Sequence, residues 1–241
     1  MADSPSIAAR LSGWAASLYE SAAAENVRSM ERLLEPAAGG ASLVDLGCDD
    51  GSLTLRLASR VGAESIHCVE IVEERAQIAE RRGVHVIRAD LNSPLPLGDG
   101  MFDVACSNQV IEHLHDTDLF VSEVFRILRP GGYAVVSTEN LASWHNIVSL
   151  LFGWQPFSLT NVSHQSGSIG NPLALHREEA FAWKSWEHVR AFAYRGLSEL
   201  FTAHGFVVES IAGAGYFPLP ARVGRSAPRH AAFIILKARR P

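Results

Sequence analysis

Three acidic residues follow three consecutive predicted strands, and the first of them opens a turn that contains two glycines. This turn spans residues 45–51 (Asp-Leu-Gly-Cys-Asp-Asp-Gly) and lies between a predicted strand and a predicted helix. Gly47 and Gly51 allow the backbone to approach a ligand closely, and the helix offers unpaired N–H groups to an anionic group. The aspartates of the turn would repel a pyrophosphate, so the turn favours a ligand with an ammonium or a sulfonium group.

The other two acids lie where a nucleoside could be bound. Glu70 ends the strand predicted over 65–70, a position from which a carboxylate can accept hydrogen bonds from both hydroxyl groups of a ribose. Asp90 follows the next strand and precedes Leu91, and such a pair can hold the amino group and the ring face of an adenine. Because Asp90 also precedes Asn-Ser-Pro, an ordinary role in a turn stays open.

Short aliphatic runs that alternate with helical periods predict the sheet that positions these acids. Residues 41–137 show this pattern, which is typical of βα units around a parallel sheet and indicates an α/β fold. The predicted strands are 42–46, 65–70, 84–88, 102–106, 133–138, 206–212 and 231–238. The link 213–230 is rich in Gly and Pro and has no helical period, so we expect the last strand to be antiparallel.

We expect a single domain over residues 1–241, with two additions to the sheet. Within residues 1–40, the Ala-rich periodic segment 14–34 predicts a leading helix that packs over the domain edge as an N-terminal helical cap. Residues 140–188 hold four of the five tryptophans. A long segment without regular period is usually functional, so we interpret 140–188 as an insertion or lid with short helices of its own.

Over roughly 41–139, the chain resembles the class I, Rossmann-like methyltransferases that depend on S-adenosylmethionine (SAM), in particular those that act on small molecules. Residues 45–51 are similar to the D-x-G-x-G-x-G turn of this family, Glu70 to its ribose-binding acid and Asp90-Leu91 to its adenine-side pair. Residues 102–113 and 128–132 are similar to its fourth-strand region and to the turn before its fifth strand. The resemblance implies a seven-stranded, mostly parallel sheet with an antiparallel last strand, helices on both faces and an aromatic-rich insertion after the fifth strand.

The resemblance also implies a methyl donor and the residues that bind it. The cofactor is SAM, and its product is S-adenosylhomocysteine (SAH). The expected cofactor-binding residues are Asp45, Gly47, Cys48, Asp49, Gly51, Glu70, Ile71, Asp90, Leu91, Asn108, Gln109 and His113. Asp49 replaces the middle glycine of the family's turn; Asp tolerates left-handed backbone angles, so the turn can persist while the side chain takes up space beside the cofactor. A nicotinamide dinucleotide fits less well, because the G-x-G-x-x-G spacing is absent after the first strand.

Candidate residues for the methyl acceptor come after the fifth strand. By analogy with small-molecule members of the family, we expect transfer to a small or medium-sized acceptor, at an oxygen of a sugar or a secondary metabolite. His145 could take the proton of an acceptor hydroxyl. Trp144, His164 and His188 are candidates for acceptor contacts within the 140–188 acceptor pocket. A packed or surface role for the histidines, and a structural role for the aromatic residues, stay open.

Residues 112–116 (Glu-His-Leu-His-Asp) raise the question of a metal ion. A similar stretch in the small-RNA 2′-O-methyltransferases supplies two glutamates and a histidine to a metal. Here Gln109 replaces the first of those acids, and an amide is a poorer ligand for a hard cation. We therefore expect no metal, with Glu112 and His113 lining the methionine end of the cofactor pocket.

Composition and net charge make some classes of function and some partners less favoured than others. The chain has 241 residues, 47% hydrophobic and 20% charged, which is typical of a globular protein. A net charge of −5 argues against a nucleic-acid partner, although an RNA methyltransferase and a SAM- or SAH-binding regulator without turnover remain the alternatives. The sequence has no apolar run of membrane-spanning length and no secretory signal pattern, so we expect a cytoplasmic location and no membrane partner. Monomer and homodimer both stay open.

The three cysteines, Cys48, Cys68 and Cys106, show no close C-x-x-C spacing. Their odd number and their places in or beside predicted strands favour buried free thiols over a disulfide framework or a zinc site.

Overall fold

Seven strands form one sheet in the computed structural model of the chain, which describes residues 7–37, 39–163, 165, 169–174 and 184–241. The strands are β1 (Ser42–Leu46), β2 (Ser65–Glu70), β3 (His85–Arg88), β4 (Phe102–Asn108), β5 (Leu128–Glu139), β6 (Val207–Ala214) and β7 (Phe233–Arg239). The α-helices are α1 (Ile7–Leu33), α2 (Ser52–Val61), α3 (Glu73–Arg81), α4 (Thr117–Ile127), α5 (Trp144–Leu151) and α6 (Tyr194–Ala203).

The strand order confirms a Rossmann-like sheet. Across the sheet the order is β3-β2-β1-β4-β5-β7-β6. Neighbours from β3 to β5 are parallel, whereas β7 is antiparallel to both β5 and β6. The last strand therefore runs against the other six, as the irregular link 213–230 predicts. The order reverses between β1 and β4, and in such sheets ligands bind at the carboxyl ends of the strands beside this point.

Helices cover both faces of the sheet. Because successive side chains of a strand point to opposite faces, Val44 packs with α4 and α6 while Leu43 packs with α1 and α2. Phe201 of α6 and Met30 of α1 are each fully buried in these two layers. Burial of such a side chain contributes about 1.5–3 kcal/mol. The leading helix thus lies on one face at one end of the sheet, against β5, β7 and the edge strand β6.

Two elements begin five residues away from their predicted starts, and the structure gives the reason for each. The pattern predicts a helix from Val189 with Phe192 on its apolar side, but α6 begins at Tyr194. The N–H groups of Val189 and Arg190 both donate to the carbonyl oxygen of Glu112, at 3.0 Å each, so this segment docks on the sheet edge instead of forming a helical turn. Strand β5 begins at Leu128, before the Pro-Gly-Gly turn, because Leu128 pairs with Phe102 across a bulge.

The cysteine prediction is wrong for two of the three residues. Cys48 and Cys68 are paired as a disulfide, with 5.9 Å between their Cα atoms. The sequence separates them by 20 residues, but β1 and β2 are parallel neighbours, so the turn after β1 lies beside the end of β2. Cys106 in β4 is a buried free thiol, as expected.

The predicted insertion between β5 and α6 contains short helical segments. The described part holds α5 and two single turns of 3₁₀ helix, Phe157–Leu159 and Lys184–Trp186. Within the described ranges, none of the helices has the length and hydropathy needed to cross a bilayer.

Candidate functional site

A cavity of about 1540 Å³ opens at the edge where β1, β2, β4 and β5 end. Sites for a single small ligand typically measure about 300–1,000 Å³, so this cavity has room for two molecules side by side. One part of the wall, the turn half, is formed by Gly47, Asp49, Glu70, Ile71, Asp90, Leu91, Asn108 and Gln109. The other part, the histidine half, is formed by Glu112, His113, Glu139, Trp144, His145 and His188.

Both glycines of the 45–51 turn are required by the local packing. Gly47 has a φ of 83°, and a Cβ added there would lie 2.4 Å from a methyl carbon of Val110. Gly51 has a φ of 76° and immediately precedes α2, and a Cβ there would lie 2.9 Å from the Cβ of Ala79. The turn is therefore a close backbone cradle that ends at a helix N-terminus, which suits the polar end of a ligand.

Asp49 occupies the left-handed backbone region that the family's glycine would use. Its φ is 51°, in agreement with the expectation that Asp can replace glycine there. Its carboxylate forms an ion pair with Arg75 of α3. Its backbone N–H donates to Oε2 of Glu70 at 2.8 Å. The extra side chain is thus held by Arg75 at the cavity wall.

Asp45 supports the turn from beneath and does not line the cavity. It is 1% exposed, its Oδ2 accepts a hydrogen bond from Thr54 Oγ1 at 2.6 Å, and its Oδ1 is buried without a partner. Burial raises the pKa of Asp45 to about 7, against the hydrogen bond from Thr54, which lowers it. Asp45 therefore lies behind the cavity wall, with its carboxyl group turned toward α2. Cys48 and Gly51 also lie outside the lining.

Glu70 is held at the end of β2 by two backbone groups. Its Oε1 accepts from Val72 N–H and its Oε2 from Asp49 N–H, both at 2.8 Å. Burial raises the pKa of Glu70, and these hydrogen bonds oppose the rise. Each carboxylate oxygen keeps a further lone pair for a ligand hydroxyl.

Asp90 and Leu91 come shortly after β3, and Ile71 comes directly after β2. Ile71 is 55% exposed although it is aliphatic, and Leu91 lies across the same part of the wall. Asp90 accepts hydrogen bonds at Oδ1 from the backbone and the side chain of Asn92. Asp90 thus shapes its own turn and also borders the cavity, so the two roles considered for it are compatible.

Helix α1 is tied to the ends of β4 and β5 by a polar network. Asn26 of α1 donates to Asn108 Oδ1 at 2.8 Å and accepts from Ser137 Oγ at 2.6 Å. Gln109, with a φ of 56°, donates its side-chain amide to Ser137 Oγ at 3.0 Å. These contacts hold Asn108 and Gln109, which line the cavity, through Asn26 and Ser137 behind them.

The histidine half concentrates buried ionisable groups. Burial raises the pKa of Glu112 to about 8 and also raises that of Glu139. Burial and the neighbouring His188 lower the pKa of His113 to about 4, and burial lowers that of His188 as well. The rings of His113 and His188 meet edge to face, with centroids 4.7 Å apart. Both imidazoles are therefore neutral at pH 7.

His145 and Trp144 begin α5 and face the same cavity. The ring of His145 packs against Phe157 and Phe217, with centroids 5.3 and 4.9 Å away, and burial lowers its pKa to about 4. Such an imidazole is neutral but a weak proton acceptor at pH 7. Trp144 donates its indole N–H to the Tyr216 hydroxyl. His164 lies outside the described residues.

Glu139 and the N-terminal part of α1 are among the contributions to the wall that sequence reasoning missed. Glu139 ends β5 as Glu70 ends β2, so the same strand-end signal could have found it. The N-terminal part of α1 supplies Trp14, Leu18 and Tyr19. Burial raises the pKa of Tyr19, and the carboxylates of Glu139 and Glu112 add to the rise, which places this phenol near both acids. No pattern in the sequence distinguishes these helix positions from ordinary packing.

The doubly wound sheet, the glycine cradle after β1 and the acid at the end of β2 are features expected of a class I methyltransferase. Residues 44–136 match the family described as Methyltransferase domain. Residues 44–136 are therefore a methyltransferase domain, and a relative that matches 42% of the chain is named a probable SAM-dependent methyltransferase.

Curated relatives of this chain are named methyltransferases, and solved structures share its fold. A probable SAM-dependent methyltransferase of Mycolicibacterium smegmatis is 38% identical over 104 residues, which cover 42% of this chain and 39% of the relative. The malonyl-[acyl-carrier protein] O-methyltransferase of Salmonella typhimurium is 28% identical over 182 residues, 74% of this chain and 69% of the relative. A Thermotoga maritima structure, described as a SAM-dependent methyltransferase and possible histamine N-methyltransferase, aligns with a TM-score of 0.63 at 20% identity, over 93% of this chain and 91% of that one. The chain spans less than half the length of several curated relatives that it matches.

Proposed function

We propose that the protein transfers the methyl group of SAM to an oxygen atom of a small or medium-sized acceptor, such as a sugar or a secondary metabolite. The observation that carries this proposal is the continuity of one cavity from the turn half to the histidine half. A methyl group moves directly between two molecules held about 3–3.5 Å apart, so both must share one enclosed space. In this proposal residues 1–241 act as one domain, in which 1–40 form a cap and 140–188 the acceptor pocket.

The turn half fits SAM in shape and in hydrogen-bonding capacity. Glu70 would accept hydrogen bonds from the ribose hydroxyls, and Ile71 and Leu91 would cover the faces of the adenine. The cradle at Gly47, where a side chain would collide with Val110, would hold the methionine part. When bound, SAM supplies an electrophilic methyl group on a sulfonium whose neutral thioether is a good leaving group. Asp45 would act from beneath, by fixing α2 through Thr54.

The histidine half supports a polar acceptor. Neutral imidazoles and two carboxyl groups lie beside aromatic rings, an arrangement that can orient hydroxyl groups and exclude water. The name of the Salmonella relative, an O-methyltransferase, supports oxygen as the receiving atom. The net charge of −5 supports a small acceptor over a nucleic acid.

An acceptor screen tests the proposal. The purified chain would be incubated with SAM and a panel of sugars, phenols and hydroxylated metabolites, with an unmodified RNA pool as a further arm. We expect a product heavier by one methylene and an equal amount of SAH for at least one small hydroxylated compound. Methylation of RNA alone, or SAH binding without turnover on any acceptor, would contradict it. A Glu70→Ala sample serves as the control for SAM-dependent signal.

A further inference from the structure

Three side chains of the histidine half converge as the ligands of a metal ion would. One donor atom from each of Glu112, His113 and His188 lies within 4.8 Å of the other two. Carboxylate oxygens and imidazole nitrogens bind first-row divalent ions at about 2.0–2.2 Å, which places such donors about 3–4.2 Å from one another. Small side-chain rotations would therefore bring all three atoms onto one ion.

The carboxylate of Glu112 has an unused oxygen in this cluster. Glu112 is 2% exposed, and its Oε2 accepts a hydrogen bond from Thr138 Oγ1 at 2.9 Å. Its Oε1 is buried without any partner. A buried polar atom without a partner is costly, and a bound ion is one of the ordinary ways in which proteins satisfy it. Glu139, at the end of β5, likewise has a buried Oε2 without a hydrogen bond, 3.8 Å from Nδ1 of His188.

Both histidines are oriented through backbone carbonyls. Nδ1 of His113 lies 3.0 Å from the carbonyl oxygen of Glu187, and Nδ1 of His188 lies 2.8 Å from that of Ser158. A carbonyl can only accept, so Nδ1 carries the proton and Nε2 keeps its lone pair. Histidine ligands of metals commonly donate their second ring N–H to a backbone carbonyl, which fixes the ring and the tautomer.

We propose that Glu112, His113 and His188 bind a first-row divalent transition-metal ion, such as Mn²⁺ or Zn²⁺, which in turn binds an oxygen atom of the methyl acceptor. Imidazole donors favour such ions over Mg²⁺ and Ca²⁺, which prefer oxygen ligands alone. The third ligand thus comes from His188 and not from position 109, where the amide of Gln109 is engaged with Ser137. This replaces the expectation from sequence that no metal is bound.

The role of the ion in catalysis rests on the proposed function. An acceptor hydroxyl on a divalent ion has a lowered pKa, because the positive charge stabilises the alkoxide. The hydroxyl proton passes to Glu139, the oxygen forms the new bond to the methyl carbon, and the carbon–sulfur bond breaks with its electron pair on sulfur. An acceptor with two adjacent oxygens would bind best, because it can occupy two coordination positions.

Direct metal titration tests the site without any acceptor. The chelator-treated chain would be titrated calorimetrically with MnCl₂, ZnCl₂, MgCl₂ and CaCl₂, with and without SAH. We expect one Mn²⁺ or Zn²⁺ per chain, bound at least tenfold more tightly than Mg²⁺ or Ca²⁺. Glu112→Gln and His188→Asn should each weaken this metal binding by tenfold or more, and His188→Asn should leave SAH binding within a few fold.

His204→Asn is the matched control. Its Nδ1 also faces a backbone carbonyl, that of Leu200 at 2.9 Å, but it lies at the end of α6, away from the cluster. We expect this variant to bind metal as the wild type does. The inference is overturned if the wild type binds neither Mn²⁺ nor Zn²⁺ near one per chain, or if the cluster variants bind like the control. SAH binding without metal binding would reject the metal site alone, whereas metal binding without SAH binding would reject the proposed function.

Discussion

The turn half and the histidine half of the cavity are built in different ways. In the turn half, the backbone determines where the site residues lie. Gly47 is confined by Val110, and the carboxylate of Glu70 is held by two backbone N–H groups. In the histidine half, side chains far apart in sequence meet, as Glu112 and His188 do. The donor side is therefore a fixed cradle set by strand ends. The acceptor side depends on how the segment after β5 folds back onto the sheet.

Because the two halves are built differently, we expect substitutions in them to affect the binding of different molecules. Changes in the turn half should alter SAM and SAH binding, because rigid backbone positions cannot adapt to an added group. Changes at His145 and His188 in the histidine half should alter acceptor or metal binding and leave SAH affinity nearly intact. Variants that break this division would show that the two halves are not independent.

The largest effect is expected from Gly47→Ala. The new methyl group would collide with Val110 and would also occupy a left-handed backbone position. We expect SAH affinity to fall by at least 100-fold, about 2.7 kcal/mol, in a calorimetric titration. Gly62→Ala is the control, because Gly62 also has a positive φ of 75° but has no atom within 4 Å of the added Cβ. It should cost about 1–2 kcal/mol of stability and leave SAH affinity unchanged. Equal effects of the two variants on SAH binding would contradict the cradle.

Glu70→Ala should produce the next largest effect. Loss of hydrogen bonds to a charged group costs about 1.5–3 kcal/mol, so SAH should bind roughly 10- to 150-fold more weakly. Glu73→Ala, which removes an exposed acid paired with Arg88 at the start of α3, is the matched control. An unchanged dissociation constant for Glu70→Ala would remove this residue from the site.

Asp45 should make stability depend on pH. Its pKa is raised by burial to about 7 in the folded chain, whereas an unfolded Asp titrates near about 3.9. Between these values the folded state holds a proton that the unfolded state has released, so the free energy of unfolding falls as pH rises. From pH 5.5 to 8 we expect Asp45 to account for a fall of about 2 kcal/mol. Asp45→Asn should lose this part of the pH dependence in denaturant titrations, and an identical pH profile would show that Asp45 stays ionised.

The smallest effect is expected from His145→Asn. A histidine with a pKa of about 4 is a weak base at pH 7, so its role is contact with the acceptor and with Phe157 and Phe217. In steady-state assays with the acceptor, we expect KM to rise and turnover to slow less than tenfold, with no change in the pH profile between 6 and 9. A hundredfold slower turnover together with a shifted pH profile would instead identify His145 as the base.

The same division explains how much the sequence could predict. The strands themselves, the antiparallel last strand and the left-handed angle at Asp49 could be predicted from local patterns, because each depends mainly on residues close together in the chain. The burial of Asp45 was not predicted, since a strand-end acid can point into a cavity or beneath a turn. The disulfide between Cys48 and Cys68 depends on the pairing of β1 with β2, which spacing alone does not reveal.

For the histidine half, the sequence could predict some of the residues but not the contacts between them. The sequence indicated that His188 and Trp144 belong to a functional segment, but the contact of His188 with His113 joins residues 75 positions apart through a loop without regular period. The start of α6 was missed for the same reason, because Val189 and Arg190 are held by the carbonyl of Glu112 and not by their neighbours.

A crystal structure of the chain with SAH bound tests the donor cradle most directly. It should show the ribose hydroxyls on the carboxylate of Glu70, the adenine between Ile71 and Leu91, and the sulfur directed toward Glu112 and His188. Binding of SAH away from these residues, or a dinucleotide phosphate bridge seated over Gly47 in its place, would contradict the account.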